Sequence, residues 1–256
     1  LGENAYLVKQ REEQWKENSM ADIIKMMTGL ADLVYFSARK LTSSRGGGIC
    51  TNNPKLYKQM EPLIPLFEGF LTYGGMSIRE IEAMAVGIYE TIDETMISQS
   101  VDFIKYCVES AVKAGIPMVT PPGVLGAHVN AGEFCAHIPQ NEYPAGALAA
   151  AFYICSGVRG MERGTMSSVR DENGVEIPAD VELMRLAFPR RVFTLSQTKY
   201  VVDRLAWLYE NRHLIGGLKF TYEPSVLRFF MGELEPLTDW PSRLVEKFRK
   251  DFGDSL

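Results

Sequence analysis

The chain has 256 residues, 46% of them hydrophobic and 23% charged, an ordinary composition for a folded globular protein with room for one large domain or two small ones. A formal net charge of −5, with no lysine or arginine run, argues against a nucleic-acid partner. The longest mostly apolar stretch, Ala145 to Val158, is too short and too mixed to cross a bilayer, and the opening LGENAYLVKQREEQW is charged too early for a signal peptide.

The first residues read as helix. Ser19 to Leu30 follows as a second helix, with Ile23, Ile24, Met27 and Leu30 on one side. Asp32 to Ala38 (DLVYFSA) is apolar, β-branched or aromatic, and reads as a buried strand. Arg45-Gly46-Gly47-Gly48 is a turn, and Ile49 begins a return strand. Asn53-Pro54 starts another helix, with proline in its first turn. Ser77-Ile78-Arg79-Glu80 has capping-box form and opens a long helical run to about Ala114, closed by Gly115, with a bend expected at Asp102.

Pro117 to Val119 and Ala127 to Asn130 read as short strands, Pro144 to Cys155 as an alanine-rich helix, and Val181 to Phe188 as a strand. Ser196 to Asn211 is an amphipathic helix with Val201, Leu205 and Leu208 inward. Gly217 to Tyr222 is a strand, and Asp239-Trp240-Pro241 starts a last helix with Leu244, Phe248 and Phe252 spaced by four. Interleaved helices and strands without a repeat give an α/β or α+β class. A boundary is expected between 92 and 115, dividing the chain into domains 1–92 and 93–256. Cys50, Cys107, Cys135 and Cys155 are scattered without a CxxC pair, which reads as reduced thiols in a cytoplasmic protein, and no residue set is assigned to a metal.

The chemistry centres on Phe36-Ser37-Ala38-Arg39-Lys40, followed by Leu41-Thr42-Ser43-Ser44-Arg45 and three glycines. Schiff-base chemistry needs an amine that is neutral part of the time. Burial at a strand end and a neighbouring cation, Arg39, both act in that direction on Lys40. The Ser37 hydroxyl and nearby amides can hold a phosphate. Taken alone, these residues fit a surface hairpin with a solvated lysine better.

Several further segments occur in one order along the chain: Glu3-Asn4-Ala5-Tyr6, Tyr73-Gly74-Gly75, Glu82 to Gly87 (EAMAVG), Gly157 to Gly164 (GVRGMERG), Phe188-Pro189-Arg190-Arg191-Val192, and Tyr222-Glu223-Pro224 with Leu227-Arg228-Phe229-Phe230. With Ser37-Ala38-Arg39-Lys40 they resemble the tyrosine phenol-lyase and tryptophanase family of pyridoxal-phosphate lyases. The resemblance implies a fold-type-I (aspartate-aminotransferase-like) α/β protein. The chain would be the C-terminal part of the large cofactor-binding domain (1–92) plus the small α/β domain (93–256), in an oligomer whose subunit pairs share active sites.

By the same resemblance the cofactor is pyridoxal 5'-phosphate, carried on Lys40, with Ser37 and Arg39 on its phosphate side. Tyr73 reaches towards the neighbouring subunit's cofactor, and Arg190 grips the substrate α-carboxylate. A planar guanidinium suits that carboxylate because it makes two parallel bonds. Met161-Glu162-Arg163 and Phe229-Phe230 match the phenol-lyase branch, in which an arginine meets the phenolic oxygen and aromatic walls hold the ring. Without the resemblance, a surface ion pair for Arg163 and core packing for the phenylalanines are the plainer readings.

The resemblance implies an aromatic amino-acid substrate, tyrosine first, cleaved to phenol, pyruvate and ammonia. The alternatives are β-elimination from tryptophan or an S-substituted cysteine, or a non-catalytic half whose pocket has drifted. Two positions depart from the family pattern. Arg45 stands where the family has an asparagine that helps bind a monovalent cation, so the guanidinium is expected to replace the ion. Leu125 stands where the family has histidine. The family's residues for the pyridine nitrogen and the phosphate loop precede the Glu3 segment, so an N-terminal-half polypeptide is expected as partner, alongside further copies in a dimer or tetramer.

Overall fold

The computed structural model describes residues 1–168 and 170–253. They form two compact units: Leu1–Asp102 with Pro189–Arg191, and Phe103–Phe188 with Val192–Leu256.

In the first unit, α1 (Gly2–Arg11) packs on α2 (Met20–Gly29), which Ser19 caps by accepting the Asp22 N–H. Their buried core is small: Ala5, Met20, Ile23 and Ile97. β1 (Val34–Ser37) and β2 (Gly47–Cys50) pair antiparallel from Val34↔Cys50 to Ser37↔Gly47, with the single turn α3 (Ala38–Leu41) between them. The strand expected to be buried is half open instead, because a two-stranded ribbon covers neither of its faces, and Tyr35 stands exposed. α4 (Pro54–Met60) begins at Asn53, whose side chain accepts from Lys55 and Leu56. α5 (Leu63–Phe67) follows, and α6 (Ile78–Glu90) opens on the Ser77–Glu80 capping box.

The long helical run is broken, though not at Asp102. Thr91-Ile92-Asp93 separate α6 from α7 (Glu94–Lys113), and the Asp93 carboxylate accepts the N–H groups of Thr95 at 2.9 Å and Met96 at 3.2 Å. Asp93 is a helix-start signal within the apolar periodicity, whereas Asp102 lies in unbroken helix.

In the second unit, β3 (Gly126–Asn130), α8 (Ala131–Phe134), α9 (Pro144–Ser156), β4 (Met161–Arg163) and β5 (Leu183–Ala187) come first. α10 (Leu195–Glu210), β6 (Leu218–Tyr222), α11 (Arg228–Met231), β7 (Glu233–Pro236) and α12 (Trp240–Phe252) follow. β3, β5 and β4 form a three-stranded antiparallel sheet in that order, and β6 and β7 form a bulged antiparallel hairpin. One sheet face, Ala127, Val129, Met184 and Leu186, joins the core with α9, whose small residues Ala145, Ala147 and Ala151 let it sit deep.

Pro117 to Val119 makes only the isolated bridge Met118↔Val129 rather than a strand. On α10 the inward residues are Val202, Leu205 and Leu208, with Val201 only half-buried. Leu244 and Phe248 of α12 are buried, while Phe252 stays partly open. All four cysteines are free thiols, Cys50 exposed and the others buried. No helix among the described residues is long and apolar enough to cross a membrane.

Candidate functional site

In the first unit the β1–α3 junction presents Ser37, Arg39 and Lys40, all exposed. The burial expected around Lys40 is not supplied by its neighbours here, because the strand before it is open. The backbone behind it is held firmly. Ala38 N donates to Gly46 O at 2.9 Å, and Thr42 N donates to Ala38 O at 2.8 Å. The Leu41 carbonyl accepts both Thr91 Oγ1 at 3.2 Å and Arg190 Nη1 at 2.8 Å. Gly46 has φ +84°, in the left-handed region where glycine is at ease, and a side chain there would strike Met76.

Arg190 is buried and its fork is occupied. Nε and Nη2 donate to Glu3 Oε1 at 2.9 and 2.7 Å, and Nη1 is bound to Leu41. The guanidinium does grip a carboxylate, but that of Glu3. Arg191 pairs with Glu90 at the surface. Tyr73 is exposed after α5, its ring 5.9 Å from that of Phe70.

In the second unit strand alternation separates the Met161-Glu162-Arg163 triplet: Glu162 turns into the core, Met161 and Arg163 to the other face. The Arg163 guanidinium lies over the Phe229 ring, 5.6 Å from its centroid, and the Phe229 and Phe230 rings meet edge-on at 4.8 Å. These residues line a cleft of about 670 Å³ with Ser167, Arg170, Glu223 and Leu227.

The 223–230 segment is fixed by buried Arg228. Its Nε donates to Ser168 O at 2.8 Å, Nη2 to Thr165 O at 2.5 Å, and Nη1 to Glu176 at 2.7 Å and Glu223 at 3.0 Å. Arg170 clamps Glu223 with two bonds of 2.7 Å. Hydrogen bonding from Arg170 pulls the Glu223 carboxyl down to about 2 against its burial. Burial and the bond to Glu176 push the Tyr143 hydroxyl up to about 12. This network was not foreseen as part of a site, although Glu223 and Arg228 stand inside a matched segment; nothing local pairs either with Glu176 or Arg170.

On the sheet face shared with Arg163, His128 lies opposite Arg185. Burial, then Arg185 and Arg163, hold the His128 imidazole below its ordinary value. Leu125 and His128 line the same small pocket, of about 280 Å³. A histidine three residues along thus borders the space next to Leu125.

No family model matches the chain. Curated relatives do. Tyrosine phenol-lyase from Pasteurella multocida is 42% identical over 91% of this chain and 52% of its own length. The tyrosine phenol-lyase of Lacrimispora saccharolytica is also 42% identical, over 91% of this chain and 51% of its own length. A probable tryptophanase from Aeropyrum pernix is 39% identical over 93% and 52%. The chain therefore spans about half the length of the curated relatives it matches. A solved structure described as SPT gives a TM-score of 0.51 at 13% identity, covering 75% of this chain and 47% of that chain. That likeness concerns fold alone, the α/β fold-type-I architecture. Over nine-tenths of its length the chain is thus homologous in sequence to tyrosine phenol-lyases and tryptophanases.

Proposed function

We propose that this chain is one part of a pyridoxal-phosphate-dependent carbon–carbon lyase that removes the side chain of an aromatic amino acid, tyrosine being cleaved to phenol, pyruvate and ammonia. The observation that carries the tyrosine reading is Arg163 poised over Phe229 beside Phe230 in an open cleft. A phenol ring seats against the two aromatic faces, and the guanidinium meets its oxygen as charge develops there.

The cofactor reading is supported by Ser37, Arg39 and Lys40. They follow one another across the β1–α3 junction, and none of their side chains has a hydrogen-bond or ion-pair partner among the described residues. An open amine, hydroxyl and guanidinium side by side fit an aldehyde that carries a phosphate. When bound, the cofactor supplies an electron sink for the substrate α-carbon. Lys40 Nζ would hold it and then take the α-proton, and Tyr73 would extend to the cofactor of a second copy. Arg190 would hold the substrate α-carboxylate by exchanging it for that of Glu3. The remaining half of the family fold, on the same polypeptide or another, would cover the first unit, bury Lys40 and complete the pocket. Arg45 would stand in for the family's monovalent cation.

With that remaining half present, borohydride reduction and peptide mapping should place the cofactor on Lys40; a label on Lys55 or Lys58 instead would sink the assignment. Arg163→Ile should cost tyrosine cleavage about 2.7–4 kcal/mol in the transition state and leave elimination from an S-alkyl cysteine nearly untouched. Equal loss on both would make Arg163 a structural residue. The second reading, elimination from tryptophan, has the probable tryptophanase relative in its favour, and turnover of tryptophan over tyrosine would select it.

A further inference from the structure

Glu162 and Glu182 are buried carboxylates with no cation in contact among the described residues. Glu162, in the middle of β4, is 5% exposed, and Glu182, just before β5, is 6% exposed. Each has one oxygen accounted for. Ser167 Oγ donates to Glu162 Oε2 at 2.5 Å, and Thr165 N donates to Glu182 Oε1 at 2.8 Å, with Gln140 Nε2 at 3.3 Å. The other two oxygens, Glu162 Oε1 and Glu182 Oε2, are fully enclosed and have no donor among the described residues.

Both of these oxygens lie against Gly164. A Cβ built there would run into Glu182 Oε2 and stand 2.9 Å from Glu162 Oε1. Glycine at this position leaves room for both carboxyl groups to approach the same point. Two ionised carboxylates converging in an enclosed, weakly polarisable place repel strongly, and each also loses its hydration. A single proton between them removes both penalties.

We propose that Glu162 and Glu182 share one proton, an acid donating to its neighbour's carboxylate, and that the pair acts as a positioning clamp behind the Arg163–Phe229 cleft. The clamp is bonded to that cleft at both ends. Glu162 is the residue before Arg163. Glu182 holds the Thr165 N–H, the Thr165 carbonyl holds Arg228, and Arg228 starts α11, which carries Phe229 and Phe230.

The surroundings add no competing charge. Gln140 before α9 and Thr165 and Ser167 after β4 are neutral. At α8 the contact is through backbone, Ala131 N donating to Glu182 O at 2.8 Å. Arg228 and Glu176 stand beyond Thr165, and strand alternation turns Arg163 to the opposite sheet face. Burial, then the charge of Glu182, push the Glu162 carboxyl above its ordinary value, with the Ser167 hydroxyl and the nearby backbone amides of Gly164 and Met166 acting the other way. A carboxyl raised in this way stabilises the fold below its unfolded value, and that contribution is lost as pH rises through the folded value.

The test follows urea unfolding against pH in the assembled protein, for the native sequence, Glu162→Gln and Glu182→Gln, with infrared spectra of each. The native protein should show a carboxylic-acid C=O stretch that persists above the ordinary carboxylate range, and an unfolding midpoint that falls as that band disappears. Glu162→Gln, whose amide donates where the acid did, should lose both the band and the pH slope while remaining folded. Equal destabilisation of both variants at every pH, with the band unchanged, would overturn the proposal. So would a native midpoint that rises on adding sodium, potassium, magnesium or calcium and stops responding in Glu162→Gln, which would make the gap a cation site. If neither variant folds, the native spectrum decides, and absence of the acid band at all pH values overturns the shared proton.

Discussion

The second unit closes side chains from α7, β3, α9, β5, α10 and α12 into one continuous core that fully encloses Trp240, Phe134, Phe152 and Phe248. Among the described residues, the first unit's buried cluster is Ala5, Met20, Ile23 and Ile97, with Ala38 and Val101 buried outside it. The unit leaves Leu66, Phe70 and Tyr89 in the open, with Phe67 73% and Ile78 76% exposed. Both are built from amphipathic helices and short antiparallel strands, so element quality does not separate them; the area each can bury against itself does. The candidate residues divide in the same way. Arg163, Phe229 and Phe230 sit on a self-supported frame, whereas Ser37, Arg39, Lys40 and Tyr73 sit on one with large uncovered apolar faces.

Splitting the chain is the harshest test of this contrast. Residues 103–256 expressed alone should unfold cooperatively in urea with dispersed amide resonances. Residues 1–102 alone should aggregate or bind a hydrophobic dye. A cooperative, monomeric 1–102 would show that its exposed residues need no cover. Point mutations should reproduce the contrast at smaller scale. Phe152→Ala in the second unit should cost about 3–5 kcal/mol. Phe67→Ala in the first should stay within about 0.5 kcal/mol, unless a covering partner is present. Comparable losses in the isolated chain would erase the distinction.

The smallest expected effect concerns the 223–230 segment. The Glu223 carboxyl is held near 2 by Arg170 and Arg228, below its unfolded value of about 4.3. Its stabilisation is therefore complete above the unfolded value and lost as pH falls through the folded one. Glu223→Gln should flatten the acid limb of the stability profile between those values. An unchanged limb would show that the pairing contributes nothing measurable in water.

Much of this was legible in the sequence where the signal is local. The Ser77 capping box, the Asn53-Pro54 start and the alanine-rich α9 are each specified within a few residues. The short strands Met161–Arg163 and Glu233–Pro236 carry no such signal, because charged residues fill them and the partner strand makes them. Arg190 is the most instructive case. The family resemblance implied a substrate carboxylate for it, and the carboxylate in contact in this structure is that of Glu3, 187 positions away. Glu176 and Arg228, 52 positions apart, are equally beyond any local pattern. The openness of Lys40 was unreadable for the same reason: burial depends on what else covers a strand.

Gly87 gives this architecture a consequence for natural variation. It lies inside α6, where alanine would ordinarily add about 1 kcal/mol of helix stability. Here a Cβ would run into the Thr42 carbonyl, 2.5 Å from Thr42 Cβ and 2.8 Å from its Cα. Thr42 closes the turn that holds Lys40. The usual sign of a glycine-to-alanine exchange is thus reversed. A population screen should find position 87 intolerant of every other residue, although it lies far along the chain from the Ser37–Lys40 segment.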